Sequence, residues 1–175
     1  MRLFGAIAIA VAAVAAPATA QDDILSKIIN DPGAPEVTGA KTSVRDDPAV
    51  QGGKALRVQV PKKGANAWDV SLRSPINKPV KAGDKLLLAF WARLDKGENG
   101  ATSASLPYNA VQLAQAPYTG VFTEGVTIGP EWKMYEVKGQ ADKDYAAGTL
   151  NATIHLATGK QVVDLGPVFV LNLGK

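Results

Sequence analysis

Residues 148–157 read Gly148-Thr149-Leu150-Asn151-Ala152-Thr153-Ile154-His155-Leu156-Ala157. Leu150, Ala152, Ile154 and Leu156 alternate with Asn151, Thr153 and His155. A period of two sends the apolar set to one face of a strand and the polar set to the other. A helix would scatter both sets around its circumference. The stretch therefore predicts a half-buried strand with its apolar side turned to a core. The same reading extends upstream. Leu56, Val58 and Val60 alternate with Arg57 and Gln59, and Trp68, Val70 and Leu72 alternate with Asp69, Ser71 and Arg73. Further strands are predicted at 85–94, 102–106, 121–128, 132–138 and 162–173. Turn signals such as Lys81-Ala82-Gly83-Asp84 separate them. Many short strands with Gly, Pro and Asp punctuation, and no long helical stripe, argue for an all-β sandwich or barrel.

The N-terminal end reads differently. Arg2 followed by the apolar run 3–16 and the small residues Ala18-Thr19-Ala20 has the layout of a signal peptide, with cleavage expected between Ala20 and Gln21. The apolar run is too short to favour a membrane span, and no other stretch approaches one. The mature chain is thus expected to be secreted or periplasmic. Residues 21–36 form a lead-in segment. Asp22 to Asn30 can form a short helix with Ile24, Leu25, Ile28 and Ile29 on one side, suited to covering a sheet edge. Asp31-Pro32-Gly33-Ala34-Pro35 stops it. Residues 37–175 form one domain.

Composition narrows the function classes. The chain has 19 basic and 16 acidic residues, and Arg2 is the one charged residue in 1–20, which leaves 18 against 16, a net of +2. That charge has no Lys/Arg run to localise it and does not suit a nucleic-acid partner. The absence of cysteine excludes thiol catalysis and thiolate-bound metals, and a single histidine, His155, excludes a multi-histidine metal site.

Several segments in order carry a family resemblance. They are Gly53-Lys54-Ala55-Leu56-Arg57-Val58, Ala67-Trp68-Asp69-Val70-Ser71-Leu72 and 80–93 with Phe90-Trp91-Ala92-Arg93. Glu131-Trp132-Lys133-Met134-Tyr135, Thr153-Ile154-His155-Leu156 and Val163-Asp164-Leu165-Gly166-Pro167-Val168 follow. Together, across about residues 37–173, they resemble the CenC-type carbohydrate-binding modules attached to cellulases and xylanases. The resemblance implies a jelly roll of two antiparallel sheets that binds sugar across its concave sheet or at the rim loops. Many members of that family hold a structural calcium with an early acidic residue and an Asp on the last strand. Asp164 matches the later position, and no other cofactor is expected.

A sugar site needs flat aromatic faces for the C–H side of a pyranose ring and polar side chains for its hydroxyls. Strand parity opposite the core offers Asp69, Ser71 and Arg73 on one strand, Trp91 and Arg93 on a second, and Asn151, Thr153 and His155 on a third. If these strands share the concave sheet, the residues form one polar surface. Trp91 would be its stacking platform, because Phe90 takes the core side of that strand. The same parity assigns Trp68 to the core, and Trp132 is expected to plug the sandwich end. Tyr108 and Tyr118 are expected on a Pro- and Gly-punctuated loop, 107–120, where they can flank a ligand or simply pin the loop. Asn151-Ala152-Thr153 matches a glycosylation sequon by coincidence. The function expected is non-catalytic binding of a polysaccharide or oligosaccharide. A small glycan-active hydrolase or lyase, built on a pair such as Glu124 and Glu136, and a structural or assembly domain that binds a protein are the alternatives.

Overall fold

A computed structural model describes residues 24–175, so the signal peptide and its cleavage point lie outside the described residues. Ten strands follow in chain order. They are β1 (Glu36–Thr38), β2 (Lys41–Asp46), β3 (Lys54–Val60), β4 (Ser71–Pro75), β5 (Lys85–Lys96), β6 (Ala104–Leu113), β7 (Gly120–Ile128), β8 (Lys133–Gln140), β9 (Leu150–His155) and β10 (Gln161–Asn172). The first sheet runs β1-β4-β9-β6-β7 and the second β2-β3-β10-β5-β8. All the pairings are antiparallel. This is the two-sheet sandwich expected from the alternation.

The inner faces carry the apolar parity. Leu72 of β4 lies opposite Ile154 of β9 in the first sheet, and Phe90 of β5 opposite Val168 of β10 in the second. Phe90, Leu88, Val70, Leu150, Ile154 and Leu156 are all buried, as their parity predicts. Phe90 stacks on Tyr135 of β8 at 5.7 Å between ring centroids. The edges of the two sheets meet where Gly139 of β8 leaves room for the ring of Phe122 of β7.

Among the described residues the N-terminal segment is helical over 24–27. Beyond it the chain laces the sheets together. Asn30 donates from Nδ2 to Ser74 Oγ of β4 and to the Val168 carbonyl of β10, both at 2.7 Å, and accepts from the Val170 N–H at 2.7 Å. Ile29 is buried beside them. The segment therefore spans both sheets at one side of the sandwich. Among the described residues no helix is long and apolar enough to cross a membrane.

Two local readings change. The strand expected from Ala67 begins only at Ser71, because Ala67–Asp69 forms a 3-10 turn. The Asp69 carboxylate accepts from the Asn66 N–H at 3.0 Å, and the N–H groups of Leu156 and Ala157 reach the Val70 and Ala67 carbonyls. The loop expected over 107–120 is mostly strand. β6 absorbs Pro107, which has no N–H to donate, in an irregularity between Leu106 and Asn109. β2 escapes the alternation rule because it is an edge strand exposed on both faces, even at Val44.

Candidate functional site

The outer face of the first sheet gathers most of the predicted polar residues. Register places Arg73 of β4 beside Thr153 of β9 and Ser71 beside His155. Gln112 of β6 lies beside Asn151. β9 is the middle strand of this sheet, and its polar side is covered by neighbours rather than open to water. Asn151, Thr153 and His155 are all buried.

His155 is the hub. The Tyr108 ring stacks on it at 4.5 Å with 20° between planes. The Trp68 ring meets it edge-on at 6.1 Å. Burial, and then the charge of Arg73, lower the His155 pKa below the ordinary histidine value, so the imidazole is neutral at pH 7. Burial also pushes the Tyr108 phenol up. Both rings therefore present neutral polar tips, each able to donate and accept a hydrogen bond. Arg73 lies over the Tyr118 ring at 5.7 Å. Tyr118 stands in the β6–β7 connection at φ 56°, with its N–H bonded to the Gln115 carbonyl at 2.9 Å.

Trp68 is the feature that parity misplaced. Its 3-10 turn breaks the alternation, and the indole is 60% exposed rather than in the core. Gly39, at φ +80°, lies so close to the Asp69 carbonyl that a Cβ there would collide with it. The turn that presents Trp68 is thus fixed from beneath by a residue that must be glycine. A tryptophan inside an otherwise regular strand pattern, preceded by Gly64-Ala65-Asn66, is the signal that could have found it.

Three buried polar atoms of this sheet lack partners, one of them Asn109 Oδ1 on β6. Arg73 Nε and Asn151 Oδ1 are buried and make no hydrogen bond. Leaving such groups unpaired costs about 1–3 kcal/mol each. The remaining expected residues are occupied. Thr153 Oγ1 donates to the Leu72 carbonyl at 3.0 Å. The Ser71 hydroxyl lies 3.2 Å from Thr38 Oγ1. Asp69 caps its turn.

Trp91 and Arg93 do not join this surface. β5 belongs to the second sheet, so both face the opposite side of the molecule. Trp91 donates from Nε1 to Gln51 Oε1 at 3.1 Å and packs over Gly166. Trp132 does not plug the sandwich end. It donates to Asp47 at 3.2 Å and lies under the Arg93 guanidinium. Arg93 also belongs to a network around Asp164, whose carboxylate is fully buried. Arg57 donates to both Asp164 oxygens at 2.8 and 3.1 Å, and Arg93 donates twice, at 3.0 and 2.9 Å. Arg45 adds a longer contact at 3.4 Å. Burial alone would raise the Asp164 pKa. The bonds from Arg57 and Arg93 outweigh it and hold the carboxyl below its usual range. The calcium position that the resemblance places at Asp164 is therefore where three guanidiniums converge, and their charge opposes a cation. Among the described residues no group of three or more His, Asp or Glu side chains could hold a metal ion. The two carboxylates of the alternative glycosidase pair stand on different sheets. Glu124 is on β7 of the first sheet, and Glu136 is on β8 of the second, paired with Lys138 at 3.1 Å.

No family model and no curated protein sequence matches the chain. Solved structures do. A CBM4 structure is similar with a TM-score of 0.59 at 16% identity, covering 79% of this chain and 94% of its own. The second N-terminal cellulose-binding domain of β-1,4-glucanase C from Cellulomonas fimi is similar with a TM-score of 0.58 at 16% identity, covering 83% and 92%. A xylan-binding CBM22 domain is similar with a TM-score of 0.56 at 15% identity, covering 83% and 94%. The sandwich also recurs as part of larger chains. It covers 28% of a two-module Clostridium thermocellum fragment that joins CBM22 to a xylanase. The fold of this chain is that of the jelly-roll carbohydrate-binding domains.

Proposed function

We propose that this protein binds polysaccharide without cleaving it, and that the outer face of the first sheet is the binding surface. The carrying observation is the convergence there of Trp68, Tyr108, Tyr118 and His155 with the unpaired buried atoms of Arg73 and Asn151. The exposed indole supplies a stacking plane. Asn151, His155 and the tyrosine hydroxyls supply short polar groups for sugar hydroxyls. Binding domains for cellulose and xylan among the similar structures support a glycan as ligand. Recognition requires no covalent step. Export through the 1–20 leader belongs to the same reading and places the domain where polysaccharides are met.

Stacking carries more of the energy than any one hydroxyl contact. A hydrogen bond nets only about 0.5–1.5 kcal/mol, because each hydroxyl leaves water to form it. Loss of an aromatic anchor costs about 2 kcal/mol or more. Isothermal titration with xylan, β-glucan and acidic oligosaccharides tests the assignment. Trp68→Ala is expected to weaken binding by about 30-fold, the equivalent of that loss. His155→Ala is expected to weaken it by less. Trp91→Ala, on the opposite sheet, is expected to bind as wild type does. A Trp91→Ala loss with no Trp68→Ala loss would move the site to the second sheet.

A further inference from the structure

We propose that the ligand of this surface is an acidic glycan, a chain bearing uronate carboxylates, and that Arg73 is the residue that reads the acid. The inference rests on the polysaccharide reading above and names the substrate class of the same site.

The described residues contain Arg45, Arg57, Arg73 and Arg93. Arg45, Arg57 and Arg93 all donate to Asp164 on the second sheet, with Asp47 and Asp95 completing the charge balance. Arg73 is treated differently. Among the described residues it has no ion pair, and its Nε is buried with no hydrogen-bond acceptor. It is not a loose surface side chain either. It sits on β4 between β1 and β9, lies over the Tyr118 ring, and is half-buried.

The nearby acids do not answer it. Glu36 is the register partner of Arg73 on β1 but is exposed and makes no ion pair with it. The Asp69 carboxylate caps its own turn. Glu124 is exposed on β7, the far edge of the sheet. His155 adds no compensating charge, since its imidazole is neutral. A guanidinium whose Nε is buried without an acceptor calls for one from outside the chain. A neutral sugar hydroxyl fills one donor. A carboxylate fills the planar fork with two parallel bonds and supplies the missing charge. Asn151 Oδ1, buried and unpaired on the same face, is an acceptor for a hydroxyl of the same or the next residue in the glycan.

The test compares each acidic oligosaccharide with its own carboxyl-reduced form, so that length and linkage stay constant. Oligogalacturonate, oligomannuronate and glucuronate-substituted xylooligosaccharide are the probes, titrated into the full mature protein at low and high salt. At least one acid is expected to bind about 10-fold to 100-fold more tightly than its reduced partner, the range of one charge-assisted contact. That preference is expected to shrink with salt. In Arg73→Gln it is expected to fall to about 3-fold or less, with Arg73→Lys intermediate because ammonium lacks the fork. Equal affinity of wild type for an acid and its reduced form overturns the inference and leaves the polysaccharide reading standing. Binding of a sulfated oligosaccharide in preference to all the uronates overturns the carboxylate assignment. Binding of no glycan in either form overturns the polysaccharide reading together with the inference. If Arg73→Gln fails to fold, Arg73→Lys carries the assignment, and an undiminished acid preference in either folded variant overturns the role of Arg73.

Discussion

Asp164→Asn is expected to lower stability by about 3 kcal/mol, measured as a fall in the urea midpoint with the slope unchanged. Asp164 is fully buried on β10, the middle strand of the second sheet, and accepts five arginine contacts. Removing one member of a buried ion pair typically costs about 3–5 kcal/mol, because the surviving charge is stranded. Here three guanidiniums would be stranded. They retain some access to water, and Asp47 and Asp95 stay beside them, which sets the expectation at the low end. The effect carries a pH signature. The folded Asp164 pKa is held below its unfolded value, so its stabilisation is complete above about pH 4 and is lost as pH falls through the folded pKa. The gap between wild type and Asp164→Asn is therefore expected to close in acid. A change below about 1 kcal/mol at pH 7 would mean that the network is decoration on the second sheet rather than part of what holds it.

Ile154→Ala is expected to cost about 2–5 kcal/mol. Ile154 is wholly buried between the sheets and lies opposite Leu72 on β4 and Asn109 on β6. The neighbouring strands are fixed by their ladders, so the cavity left by the missing carbons cannot collapse fully. Chemical denaturation measures the loss. A value under about 0.5 kcal/mol would mean that the two faces of β9 are assigned backwards, and the binding surface would fall with that assignment.

Parity was enough to place Ile154, Phe90 and Leu88 in the core, and Asn151 and His155 on the other side of their strand. Those are local matters. Successive side chains in a strand point to opposite sides whatever the strand pairs with, so alternation reports which face is apolar. Alternation is silent on edge strands that bury neither face, which is why β2 went unread. It misleads where the backbone leaves the strand conformation, as at Trp68. There the turn over Ala67–Asp69 rotates the indole out to solvent.

What alternation could not supply was partnership. Trp91 and Arg93 share the outward parity of Arg73 and Asn151, yet they face the other side of the molecule. β5 pairs with β10 and β8, whereas β4 pairs with β9. Outward on one sheet and outward on the other are the same signal in a sequence and opposite surfaces in a sandwich. The sequence by itself determined most of the strands, the apolar face of those and the all-β class, because these follow from a period of two within single segments. Only the tertiary structure decided that Trp68 and not Trp91 stands with Tyr108, His155 and Arg73. It also decided that Asp164 lies among arginines. Both depend on which distant strands hydrogen-bond to each other, and strand pairing is settled by the packing of the whole chain rather than by any one stretch of it.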